Sequence, residues 1–161
     1  MNIFNIIEVV DLGIEKEKKR RDFYAAVAEK FKDNELHAIF IRLRDWEGTH
    51  IKKFSEIRDS LQAQGPAQGY EGELSAYMDV FVEDKLYSKI SAEEFSKNIN
   101  DPLVAVNQGI EFEKEAILFF TGLVPFMETH NKEIVRKLVD EERQHIIYLS
   151  NLREKITAGK K

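Results

Sequence analysis

Four stretches of the chain carry apolar residues in alternating steps of four and three. In residues 2–31 the row is Ile3, Ile7, Val10, Ile14, Glu17, Arg21, Tyr24, Ala28 and Phe31. In residues 34–62 it is Leu36, Phe40, Leu43, Glu47, His50, Phe54, Ile57 and Leu61. A third row runs Val106, Ile110, Glu113, Ile117, Phe120, Val124 and Met127, and a fourth Val135, Leu138, Glu142, His145, Leu149, Leu152 and Ile156. Such steps keep a row on one stripe of an α-helix, the seam along which helices pack lengthwise. The pattern predicts an all-α fold, a four-helix bundle.

Punctuation marks the ends. Lys32-Asp33-Asn34 reads as a tight turn with Asp33 as N-cap, and so short a link makes the first two helices antiparallel. Gly65-Pro66 and Gly69 close the second helix. Asp101-Pro102 opens the third, with Asp as cap and Pro at the first helical position. Pro125 is expected to kink or fray its last turn. Thr129-His130-Asn131 reads as the next connector, and Ala158-Gly159-Lys160-Lys161 as a loose tail.

Residues 63–100 are too many for a turn. Two short helices are expected there. One carries the apolar face Leu74, Tyr77, Met78, Phe81 and Val82, and the other opens with a capping box at Ser91 and Glu94. A helix of about 30 residues spans roughly 45 Å, and a connector of this length can run back along it. The stretch is therefore read as a long, partly helical crossover between helices 2 and 3.

The two halves resemble each other. Gly13-Ile14-Glu15-x-Glu17-Lys18 matches Gly109-Ile110-Glu111-x-Glu113-Lys114, and Phe23-Tyr24 matches Phe119-Phe120, 96 positions on. Leu43-x-Asp45-x-Glu47-x-x-His50 matches Leu138-x-Asp140-x-Glu142-x-x-His145, 95 positions on. The reading is one domain over 1–161, built of two helical-hairpin repeats, about 2–62 and 101–157, joined by the crossover 63–100.

Composition narrows the chemistry. The 161 residues are 43% hydrophobic and 33% charged with a net charge of −5, which suits a soluble domain and gives no electrostatic case for nucleic acid or an anionic membrane. There are no cysteines, so disulfides, thiolate metal sites, iron–sulfur clusters and cysteine nucleophiles are excluded. Met1-Asn2-Ile3-Phe4 lacks a basic start, and the apolar stretch Ala116 to Met127 is too short to span a bilayer. A cytoplasmic location is expected.

The polar breaks in the seams then stand out. Glu17, Glu47, His50, Glu113, Glu142 and His145 lie near the midpoints of their helices, so packing brings all six to one level. On a helix, Glu-x-x-His puts both side chains on one face. A lone Glu or His on a seam is usually a partnered core residue. Four carboxylates converging in an apolar interior cannot all stay ionised unaided, because desolvation is costly and like charges raise one another's pKa. Two divalent cations carry +4 against their −4, and no other residues are expected at comparable depth. A carboxylate and imidazole set without sulfur suits iron or manganese. Arg21 lies on the seam and Arg20 beside it. Either both extend to solvent, or one pairs with a metal-bound carboxylate. His37 and His130 read as surface residues.

At these residues the chain resembles the rubrerythrin-like branch of the ferritin-like di-iron carboxylate superfamily, over residues 1–157. The resemblance implies a ferritin-like four-helix bundle holding two Fe ions, with Mn possible. It implies Glu47 and Glu142 as bridging carboxylates, Glu17 and Glu113 as terminal carboxylates, His50 and His145 as terminal imidazoles, and Tyr24 as a hydrogen bonder behind the ligands. Full rubrerythrins add a cysteine-bound rubredoxin domain, which this chain lacks. They also carry an extra third-helix Glu where Ala116 stands, the residue on which a His-for-Glu metal movement depends. Gly48 stands where haem-binding bacterioferritins carry Met, so no haem is expected.

The resemblance points to an oxidoreductase, a peroxidase-type enzyme reducing hydrogen peroxide or dioxygen with electrons from an external donor such as a rubredoxin-like protein, and to a homodimer. Iron oxidation and storage in a ferritin-like shell, a manganese catalase-like centre, and a non-enzymatic metal-binding helical interaction protein are the alternatives.

Overall fold

The computed structural model describes residues 4–32, 35–63, 69–70, 76–77, 79–80, 96–97 and 99–159. Among them are four long helices: α1 (Ile6–Lys30), α2 (Leu36–Ala63), α3 (Pro102–Leu123) and α4 (Thr129–Gly159). Two-residue strands β1 (Phe4–Asn5) and β2 (Gly69–Tyr70) pair antiparallel, Phe4 with Tyr70 and Asn5 with Gly69.

The first helix starts later than its apolar row suggests. Asn5 caps it: its side chain accepts from Glu8 N at 3.0 Å, and Glu8 accepts from Asn5 N at 2.9 Å, a reciprocal capping box. The cap residue Asn5 is itself extended and forms β1 with Phe4. Asp101 caps α3 as expected, accepting from Leu103 N at 2.7 Å ahead of Pro102. Pro125 does end that helix. It falls in a short 3-10 turn, Val124–Phe126, since proline cannot give the i−4 hydrogen bond. The expected connector Thr129-His130-Asn131 is instead the first turn of α4, with Asn131 buried, and Ala158 and Gly159 are still helical. The Asp33 cap and the Ser91–Glu94 box lie outside the described residues; of the two predicted crossover helices, residues 76, 77, 79, 80, 96 and 97 are described and are helical.

Three described points mark the crossover's course. β2 sits beside β1 at the start of α1. Tyr77 donates to Leu118 O at 2.6 Å near the end of α3, and its ring lies against Gly122. Lys30, at the end of α1, donates to the carbonyls of Ser96, Lys97 and Ile99.

Within each half the helices pack as a hairpin, α1 on α2 and α3 on α4. Between halves α1 and α3 run antiparallel: Phe23 meets Phe112, while Gly13 meets Phe119. α2 and α4 do likewise, with Lys53 on Glu141 and Trp46 on Tyr148. The buried apolar residues form two clusters. One holds Val10, Ile14, Phe54, Ile57, Phe119, Phe120 and Leu138, the other Phe23, Tyr24, Phe40, Leu43, Ile110, Phe112 and Leu149. On every helix the residues between these clusters are the polar ones, so a charged layer crosses the middle of the bundle.

Candidate metal centre

Each helix delivers its polar residues to that layer. Glu17, Glu47, Glu113 and Glu142 have no exposed surface, and His50 and His145 are almost as deep. Seven of their side-chain atoms are buried and lack a hydrogen-bond partner: Glu17 Oε2, Glu47 Oε1, His50 Nδ1, Glu113 Oε2, both oxygens of Glu142 and His145 Nδ1. Unpaired buried polar atoms are rare and costly, and here they face one another. Two four-residue groups have ligand atoms mutually within 4.8 Å: Glu17, Glu47, His50 and Glu142; and Glu47, Glu113, Glu142 and His145. Glu47 and Glu142 belong to both.

The imidazoles present Nδ1 inward. His50 Nδ1 lies 3.2 Å from Glu142, 3.5 Å from Glu17 and 3.8 Å from Glu47. His145 Nδ1 lies 2.8 Å from Glu142, 3.7 Å from Glu113 and 3.8 Å from Glu47. These approaches lack the alignment of hydrogen bonds, as expected of donors aimed at a shared point. The two rings stack with centroids 5.2 Å apart, and Trp46 stacks on the other face of His145 at 4.6 Å. Behind His50, Nε2 contacts Glu141 at 3.0 Å, and Lys53 holds Glu141 at 2.6 Å.

Charge is distributed unevenly. Burial works against ionising every glutamate, but Arg20 holds Glu17 below the usual carboxylate range. For Glu142 the same burial is outweighed by His50, the closeness of His145, and Arg20. Burial, Glu113 and Glu142 push Glu47 well up, and burial with Glu142 pushes Glu113 up to about 7. Burial opposes a charged His145, yet Glu113 and Glu142 raise it to about 9; His50 is raised as well, by Glu142 and Glu141 against its own desolvation. His50 and Lys53 hold Glu141 down to about 2 against its partial burial. Without a metal, then, protons and Arg20 balance the four carboxylates. The seven converging oxygen and nitrogen atoms, with no sulfur among them, fit two oxygen- and nitrogen-liking divalent ions.

All six residues singled out in the sequence meet in this layer. Tyr24 is fully buried and donates to Glu113 Oε1 at 2.5 Å. His130 is exposed, whereas His37 is half buried with Nδ1 3.0 Å from Ala28 O. The expectation that nothing else charged lies at this depth is corrected by Arg20 and Lys16, 1% and 2% exposed. Arg21, the seam member, stays half exposed beside Asp22. α1 packs against both α2 and α3, so its buried face is wider than one seam and takes in position 20. Arg20 contacts Glu17, and lies 3.4 Å from Glu47, 3.5 Å from Glu115 and 3.9 Å from Glu142; Lys16 bonds Glu115 at 2.8 Å. The repeat held a clue: 96 positions on, Lys16 and Arg20 correspond to Phe112 and Ala116, which are apolar and buried.

No protein-family model matches the chain, and no curated protein matches it. Among solved structures it is similar to a Thermotoga maritima protein described as a ferritin-like diiron-carboxylate protein, with a TM-score of 0.74 and 18% identity over 96% of this chain and 97% of that one. It is also similar to a hypothetical protein from Pyrococcus furiosus, with a TM-score of 0.67 and 20% identity over 96% of this chain and 92% of that one. The fold is ferritin-like.

Proposed function

We propose that the chain is a di-iron, or di-manganese, carboxylate oxidoreductase of rubrerythrin-like type. It reduces hydrogen peroxide or dioxygen with electrons from an external donor. The observation that carries this reading is the convergence of seven unpartnered, fully buried ligand atoms between the four helices. Glu47 and Glu142, common to both four-residue groups, are the shared carboxylates; Glu17 with His50, and Glu113 with His145, serve one ion each.

When bound, two such ions would supply the two electrons needed, with two protons, to reduce one hydrogen peroxide to two waters. The protein's part is to hold and shape. Glu141 accepts a proton's hydrogen bond from His50 Nε2, which leaves Nδ1 free as a ligand. Burial and the charge of Glu113 push the Tyr24 phenol well above its ordinary pKa, so it stays protonated and donates to Glu113 Oε1. Trp46 covers the outer face of His145 and limits water there. We take the donor to be a separate protein of rubredoxin-like kind. No described helix is long and apolar enough to cross a membrane. By the resemblance alone, we place the enzyme in the cytoplasm as a homodimer.

Stopped-flow mixing of the diferrous protein with peroxide tests the reading. Diferric absorbance should form many times faster than in Glu142→Ala, where a shared ligand is gone. Equal rates would sink the redox assignment.

A further inference from the structure

The six ligands obey the internal repeat, but the residues around them break it. Arg20 on α1 corresponds to Ala116 on α3. The guanidinium has no exposed side-chain surface and touches Glu17, Glu47 and Glu142, three of the four residues of one ligand group. Beside the other group, at Glu113, the corresponding role falls to the neutral Tyr24 hydroxyl. The remaining charges near the first group are already matched. Glu115 faces Arg20 and Lys16 together, and Glu141 behind His50 carries Lys53.

We propose that Arg20 makes the two metal positions unequal, so that the position of Glu113 and His145 fills first and that of Glu17 and His50 second. The inference rests on the two-metal reading above. Its physical basis is simple. A fixed cation buried against one position repels a divalent ion there, and low exposure leaves that repulsion poorly screened. It also engages Glu17 Oε1, so that Glu17 offers its ion one free oxygen, Oε2. Among the described residues no cation stands equivalently at the position of Glu113 and His145, because the Ala116 side chain has no polar atom to give. The repeat thus supplies two similar cradles, and one arginine ranks them.

Titration of the whole metal-free chain with Co(II), followed by calorimetry and visible absorbance, reads this without any turnover. Two ions per chain should bind in two steps at least tenfold apart in affinity. A stoichiometry other than two would sink the two-metal reading itself; two ions in indistinguishable steps would sink only the ranking. His145→Ala should weaken the first step and His50→Ala the second, and the reverse assignment overturns the proposal in the native Arg20 background. R20Q should strengthen the second step at least tenfold and draw the two steps together, while R20K, which keeps the charge, should keep them apart. An R20Q protein that melts as the wild type does but whose second step is unchanged or weaker overturns it too.

Discussion

Tyr24 donates its hydroxyl to Glu113, a carboxylate of the opposite repeat, across the interface of α1 and α3. The position equivalent to Tyr24 in that repeat is Phe120, which packs on Phe54 in the apolar core. One half therefore reaches into the other's ligand set and the favour is not returned. Tyr24→Phe removes a charge-assisted donor from a buried carboxylate without changing the ring. Losing such support behind a ligand typically lowers metal affinity about 10-fold or more. Chelator competition with the Co(II)-loaded protein measures it, and an unchanged affinity would show that Glu113 needs no such support.

The protonation pattern sets a pH dependence for the metal-free chain. His145 is raised from an ordinary 6.5 to about 9, so the stability it contributes is complete below 6.5 and is lost as pH rises through 9. Glu113 is raised from 4.5 to about 7, which likewise removes stability as pH rises across that interval. Glu141, depressed to about 2, has the opposite sign and contributes fully above 4.5, losing its effect only as pH falls towards 2. The chelator-treated protein should therefore melt at progressively lower temperature from about pH 5 to pH 9. The loaded protein, whose ligands are deprotonated and neutralised by cations, should not follow it. Parallel melting curves for the two forms would contradict the charge assignment.

Two glycines separate packing from propensity. A Cβ on Gly122 would sit 2.1 Å from a Tyr77 ring carbon, so Gly122→Ala must expel that ring and its bond to Leu118 O. The expected cost is about 1–3 kcal/mol, only partly offset by the gain in helix propensity. Gly48 has nothing within 4 Å of its Cβ position, and Gly48→Ala should stabilise by about 0.5–1 kcal/mol. Urea denaturation of the two variants checks both signs. A stable Gly122→Ala protein would mean that Tyr77 does not hold the crossover to α3.

Particular residues show what could be read from the chain. The regular steps through Glu47 and His50 put both on the buried side of α2, and the repeat carried the inference to Glu142 and His145. That worked because ligand placement follows helical period alone. The sequence alone does not choose between Arg20 and Arg21, since Arg21 lies on the seam and Arg20 beside it. A seam drawn for one neighbour is too narrow for a helix that packs against two, and position 20 belongs to the second contact. α1 starts later than its apolar row, which Ile3 continues, because the capping box at Asn5 and Glu8 sets its first turn. Thr129-His130-Asn131 looked like a connector by composition, yet Met127 and Glu128 suffice. Lys53 and Glu141 give no signal of their own in sequence; they matter only because α2 and α4 run antiparallel at that level.

The charged layer also divides the hydrophobic core, with Val10, Ile14 and Phe119 on one side and Phe23, Phe40 and Phe112 on the other. Small domains usually melt in one step because a continuous apolar interior ties every part to every other. Here that continuity is interrupted at mid-height, and ions held by all four helices would be the tie between the ends. Cooperativity itself would then depend on the cofactor. In calorimetry the loaded protein should give matching calorimetric and van't Hoff enthalpies, and the chelated protein should not, each end of the bundle loosening on its own account.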